Sequence, residues 1–178
     1  TPYDYVGLMN TALRCEDPVV VLEHVDLYGS TGPGPVDDYD YYLPVGKAVV
    51  RRPGSDVTVL TYLGMVRHVL AAVEEFGKVD AEVIDLRWLD RASIDWDTIE
   101  ESVTRTNQVL IAEQGAVGTS YGGWLADEIH RRFFDLLDAP VRRVTGAEAS
   151  PSISKVLERA AIAEQDEVVA ELAEIARY

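Results

Sequence analysis

The chain has 178 residues, 47% of them hydrophobic, which is enough to build a real core and excludes wholesale disorder. Sixteen basic residues stand against 31 acidic ones, a formal charge of −15, so nucleic-acid phosphates would be repelled while a basic protein partner is permitted. A single cysteine, Cys15, excludes an internal disulfide framework and suits a reducing, cytoplasmic setting; no apolar run reaches the ~20 residues of a membrane span and no signal peptide is visible.

Asp4 to Arg14 reads as a helix, with Asp4 as N-cap and Val6, Met9 and Leu13 on one face. Glu16-Asp17-Pro18 is a turn, because proline cannot continue the helix. Pro18-Val19-Val20-Val21-Leu22 is then a fully apolar strand ending in Glu23-His24. Gly29 to Tyr42 is a loop. Its Gly-Pro-Gly-Pro core resembles a phosphate cradle only superficially. No helix start follows, and Asp37, Asp38 and Asp40 would repel an anion, so it is a connector.

A second unit begins near Lys47. Lys47–Arg51 and Val57–Thr61 read as strands around the turn Pro53-Gly54-Ser55-Asp56. Tyr62 to Phe76 carries the helical stripe Met65, Val66, Val69, Leu70, Val73. Ala81 to Leu86 is a strand, Asp95 to Thr106 a helix, Gln108 to Ala112 a strand and Gly123 to Leu137 a helix. Pro140 to Val144 is a strand, Pro151 sits where a helix can begin, and Glu164 to Arg177 is a closing helix. This alternation predicts a three-layer αβα sandwich on a mostly parallel sheet.

In such a sheet the carboxyl ends of the strands form the edge where ligands and neighbouring domains sit. Here they end abruptly in charge, as Asp85-Leu86-Arg87 and Glu113-Gln114-Gly115. Glu23, Asp85 and Glu113 can converge there for acid–base work, or cap helices and bridge domains instead. Thr119-Ser120-Tyr121-Gly122-Gly123-Trp124 turns into a helix, where free N–H groups suit either an anion or close packing against a neighbour. His24 follows a strand end; His68 and His130 lie on helices and read as partly exposed surface residues. No Cys-x-x-Cys, His-Glu-x-x-His or Gly-x-Ser-x-Gly motif is present.

One family resemblance unites these segments. Pro2-Tyr3-Asp4, Gly7-Leu8, Ala12-Leu13-Arg14, Asp17-Pro18-Val19-Val20, Leu22-Glu23-His24 and Leu27-Tyr28-Gly29 resemble the last part of the pyrimidine-binding domain in the β subunit of 2-oxo acid dehydrogenases. Leu43-Pro44-Val45-Gly46-Lys47-Ala48 resembles the passage into its C-terminal domain. Glu82 to Arg87, Ile99 to Val103 and Leu137 to Ala147 continue the match in order. Val144-Thr145-Gly146-Ala147 and Lys155-Val156-Leu157-Glu158 look like the pyruvate dehydrogenase branch.

The resemblance implies a fragment of a pyrimidine-binding α/β domain plus linker over 1–45 and a transketolase-like C-terminal domain over 46–178. It implies a thiamine diphosphate-dependent α2β2 enzyme that decarboxylates a 2-oxo acid and acylates a lipoyl group. The activating glutamate would lie upstream, and the diphosphate and Mg2+ on the α subunit, leaving no catalytic or cofactor-binding residue in this chain. A potassium site is implied at Ala12, Leu13, Cys15 and Asp17, with Cys15 standing where an acid is common. Asp138, with Tyr178 nearby, is implied to contact the basic peripheral-subunit-binding domain of the acyltransferase. Near Ala149 to Ile153 only Pro151 remains of a proline-rich segment, and Ile162-Ala163 replaces Ile-Pro. The alternatives are another transketolase-like thiamine enzyme or a non-catalytic α/β assembly module.

Overall fold

The computed structural model describes residues 1–150 and 152–177. Five strands form one sheet: β1 (Val49–Arg52), β2 (Val57–Thr61), β3 (Ala81–Asp85), β4 (Val109–Ala116) and β5 (Arg142–Gly146). Their order is β1-β3-β2-β4-β5. β2 runs parallel to both β3 and β4, and β4 parallel to β5. β1 alone is antiparallel, pairing β3 across a register shift between Val50 and Arg52.

β2 and β3 are buried at every position, because helices cover both faces. Side chains alternate between two cores. Val57, Val59, Val83 and Leu110 point to α2 (Met65–Phe76) and α6 (Gln165–Ile175). Leu60, Ile84, Val109 and Ile111 point to α3 (Trp96–Thr106) and α4 (Tyr121–Phe133). This is the expected three-layer sandwich. Asp95 caps α3, and Asn107, in the left-handed region at φ +54°, ends it. A short helix, α5 (Lys155–Ala161), follows β5; Pro151, where a helix start was expected, lies outside the described residues.

The first 45 residues hold one helix, α1 (Pro2–Arg14), and otherwise no regular element longer than a 3-10 turn. Its N-cap is Thr1, and Asp4 occupies the third helical position of a capping box rather than the cap itself. The segment 39–43 packs along it: Tyr41 stacks on Tyr3 at 4.5 Å and Leu43 N–H donates to the Gly7 carbonyl at 3.3 Å. A Cβ on Gly7 would lie 2.7 Å from both Tyr41 and Leu43, so the packing requires glycine. Leu13, expected on a shared apolar face, is instead exposed.

Pro18–Leu22 does not form the expected strand. It is extended, has no strand partner among the described residues, and leaves Val19, Val20, Val21 and Leu22 exposed. An apolar run becomes a strand only where a neighbour satisfies its backbone groups, and none is supplied here.

An ion-pair chain ties α1 to the sheet. Asp4, 5% exposed, accepts from the guanidiniums of both Arg51 and Arg87, and Arg51 also binds Asp85 at 2.8 and 3.1 Å. Arg87 leaves β3 at φ +57°, a conformation uncommon outside glycine. Burial works against the Asp4 charge, but the hydrogen bonds from Thr1 and Arg51 outweigh it and hold the carboxyl well below the usual carboxylate range. A depressed folded-state pKa gives stability that is complete above the unfolded value of 3.8 and fades as pH falls below it. Asp4→Asn should therefore lower stability by roughly 1.5–3 kcal/mol at pH 7, with the deficit shrinking below about pH 4. Urea unfolding of both forms at pH 7 and pH 3 measures this. An equal deficit at both values would mean that the charge contributes nothing.

Candidate functional site at the carboxyl edge of the sheet

Of the three carboxylates expected to meet at this edge, two lie on the sheet and one does not. Thr61 at the end of β2 is in register with Asp85 on one side and Ala112 on the other, so Asp85 and Glu113 flank the same strand end. Glu23 is elsewhere. It is exposed and accepts from the Tyr5 and Tyr28 hydroxyls, each at 2.9 Å.

Glu113 is wholly buried and fully engaged. One oxygen accepts from Ser120 Oγ at 2.7 Å, Gly122 N–H at 3.0 Å and Arg143 Nη2 at 3.1 Å. The other accepts from Tyr62 Oη at 2.8 Å and Gly122 N–H at 2.9 Å. The carboxylate therefore caps the N-terminus of α4, where the helix dipole favours negative charge. A Cβ at Gly122 would sit 2.2 Å from its oxygen, so only glycine lets the helix approach. Of the N–H groups that the turn offered to an external anion, that of Gly122 is taken by the chain's own carboxylate, and those of Thr119, Ser120 and Gly123 by the carbonyls of Ala116 and Ser120. Burial, then the Glu113 charge, pushes the Tyr62 phenol well above its ordinary value, which keeps it a donor. Such a satisfied group orders a structure but has no spare valence for proton transfer.

Asp85 is likewise committed, to Arg51. His24 is at the edge, as its position suggested. Its Nε2 lies 2.8 Å from Gln114 Oε1, its ring packs against Gly64, and its Nδ1 accepts from Asp26 N–H at 3.3 Å. Gln114 in turn donates to the Ala163 carbonyl at 3.1 Å, so one side chain joins the N-terminal segment, the sheet and the lead-in to α6. His68 is half-buried on α2. His130 is partly exposed, as expected, and engaged on both nitrogens: Nδ1 donates to the Ala126 carbonyl at 2.8 Å and Nε2 accepts from Val141 N–H at 3.3 Å.

The residues expected around potassium lie together at the end of α1. Cys15 N–H closes the helix on the Thr11 and Ala12 carbonyls, and its thiol faces the Thr11 carbonyl at 3.4 Å. Any contribution of Cys15 to a hard cation must therefore come from its carbonyl, beside Leu13 and the exposed Asp17. Among the described residues no three His, Cys, Asp or Glu side chains are placed to share a metal ion. Asp138 is exposed on the turn after α4, and Tyr178 lies outside the described residues.

Comparison with known proteins gives these features a context. A family model, "Transketolase, C-terminal domain", matches residues 46–168. The pyruvate dehydrogenase E1 component subunit beta-1, mitochondrial, of Oryza sativa subsp. japonica is 38% identical over 179 residues, covering 95% of this chain and 46% of that protein. The pyruvate dehydrogenase E1 component subunit beta of Cyanidium caldarium is 35% identical over 180 residues, covering 100% of this chain and 54% of its own. That of Rickettsia felis is 35% identical over 177 residues, covering 98% and 53%. The chain thus spans about half the length of the curated relatives it matches. A solved split gene transketolase, an inactive beta4 tetramer, shares the fold at TM-score 0.63 and 23% identity, covering 83% of this chain and 47% of that one.

Breaking the buried pair should be severe. Glu113→Ala should destabilise by about 3–5 kcal/mol, because it removes the buried centre of the network; Arg143→Ala should cost less, roughly 1–3 kcal/mol, because Arg143 is 22% exposed and Glu113 keeps Tyr62, Ser120 and Gly122. The double variant should lose less than the sum of the two, by ~0.5–3 kcal/mol. Chemical denaturation of the four proteins tests this, and strict additivity would mean that the two side chains act independently.

Proposed function

We propose, since the chain belongs to the transketolase C-terminal domain family, that it is the C-terminal portion of a pyruvate dehydrogenase E1 β subunit, serving assembly and partner docking. The observation that carries this reading is the 35–38% identity to such subunits, which extends over 93–100% of the chain and so includes the first 45 residues as well as the sheet domain. On this reading residues 1–45 are the end of a pyrimidine-binding domain with its linker, and 46–178 the domain after it. The apolar, unpaired Pro18–Leu22 then finds its neighbours in the preceding part of such a domain.

The holoenzyme would use thiamine diphosphate to decarboxylate a 2-oxo acid oxidatively, acylating a lipoyl group, in an α2β2 assembly. The residues described here do not fit the diphosphate or its Mg2+. The N-terminus of α4 at the sheet edge is filled by Glu113, and no trio of metal-ligating side chains is present among the described residues. Those groups would be held by the α subunit and by upstream residues, so this portion alone would be inactive. A potassium ion at Ala12, Leu13, Cys15 and Asp17 would find main-chain oxygens at the negative end of α1. No described helix is long and apolar enough to cross a membrane. Asp138, with Tyr178, would meet a basic domain of the acyltransferase component, for which the charge of −15 supplies steering.

Produced with the preceding half of a β subunit and an α subunit, the chain should support pyruvate-dependent reduction of an artificial electron acceptor. No turnover of any 2-oxo acid would overturn the reading. In the same assembly Asp138→Ala should weaken capture of the acyltransferase's basic domain ~10-fold or more while leaving acceptor reduction unchanged.

A further inference from the structure

The helix that follows β5 turns its apolar side chains away from the domain. Val156, Leu157 and Ala160 of α5, with Ile153 just before it, recur at the i, i+3, i+4, i+7 spacing of a single helix face. That face points outward. Val156 is 77% and Leu157 59% exposed, Ile153 is wholly exposed, and Ala161 alone of the helix is buried. A helix of seven residues is far below the ~12–15 residues at which an isolated helix becomes even marginal in water, so α5 needs an apolar cover to persist. Contiguous exposed apolar side chains of this kind mark an interaction surface.

The neighbours of α5 indicate what covers it. Its end is fixed to the carboxyl edge of the sheet, where Ala147 N–H donates to the Ala161 carbonyl at 2.9 Å. A Cβ on Gly146 would meet that carbonyl oxygen at 2.6 Å, so only glycine lets the helix end approach β5. Two residues on, the Ala163 carbonyl accepts from Gln114, the side chain that also holds His24. His24 stands two residues after the uncovered run Pro18–Leu22. The outward stripe of α5 and that run are therefore joined through one glutamine at one edge of the sheet. The start of α1 is held to the same edge, by Asp4 through Arg51 and Arg87. Chain entering α1 thus arrives where both apolar surfaces lie. A second copy of this chain, also at −15, would meet repulsion on approach.

We infer that α5 is a seat for the portion of the β subunit that precedes Thr1, whose apolar residues cover Ile153, Val156 and Leu157 as well as Pro18–Leu22. The inference rests on the reading above. It adds a second contact between the two halves, made by a helix far along the chain from the first, so that the preceding domain is gripped from both sides of the His24–Gln114 link.

The test is hydrogen exchange on the complete β subunit, alone and assembled with the α subunit, with pyruvate-dependent acceptor reduction by the assembly as a separate readout. In the β subunit alone the amides of residues 158–161 should exchange at least ~10-fold more slowly than in an unfolded chain, and adding the α subunit should change this little. Val156→Asp should abolish that protection and speed exchange in the preceding half, because a charge is forced into an apolar seat. Val156→Ile should keep it. Val156 is exposed in this domain, so the aspartate variant should leave the sheet folded, with slow exchange in β2 and β3 unchanged. If pyruvate is turned over but α5 is unprotected, or is protected only after the α subunit is added or only where β subunits self-associate, the seat is overturned and the reading above survives. If no 2-oxo acid is turned over, both are overturned.

Discussion

One buried carboxylate organises the carboxyl edge of this domain. Glu113 has no exposed surface, and its five hydrogen bonds reach the loop after β2 through Tyr62, the start of α4 through Ser120 and Gly122, and β5 through Arg143. A charge taken out of water is tolerated only when donors surround it, so these elements are held to one geometry or the charge is left unpaid. At the edge that would hold a ligand in many parallel sheets, Asp85 and Glu113 are both engaged by the chain's own donors.

The second constraint joins the N-terminal segment to the sheet. Asp4, Arg51, Arg87 and Asp85 link α1, the antiparallel edge strand and the end of β3, and the His24–Gln114–Ala163 chain makes a parallel connection nearby. The two units are therefore joined by polar groups, while the apolar surface of Pro18–Leu22 stays uncovered. Strength toward the sheet and exposure on the far side are what a segment placed between two bodies requires. This accords with its proposed place at the close of a preceding domain.

Much of the architecture was legible in the sequence because the signals are local. The apolar runs at Val57–Thr61 and Ala81–Asp85, and the stripes of α2, α3, α4 and α6, mark buried strands and two-sided helical cover. The direction of β1 was not legible, since antiparallel pairing with β3 depends on the path of the chain and not on composition. Nor were the partners of Asp4, 47 and 83 residues away at Arg51 and Arg87. Glu113 could be read as a capping candidate, but its pairing with Arg143 across β4 and β5 is a tertiary event. The error at Pro18–Leu22 has the same root: residue type sets the preference for an extended chain, and only a neighbouring strand makes it a sheet.

The antiparallel strand β1 has a consequence for behaviour in crowded solution. An open sheet border can recruit stray peptide and seed fibres. Here that border is only four residues long, is kinked at the Val50–Arg52 irregularity, and carries two arginines already engaged by aspartates. Such a margin is a poor template for further strand addition, so the domain can leave one flank bare without inviting aggregation.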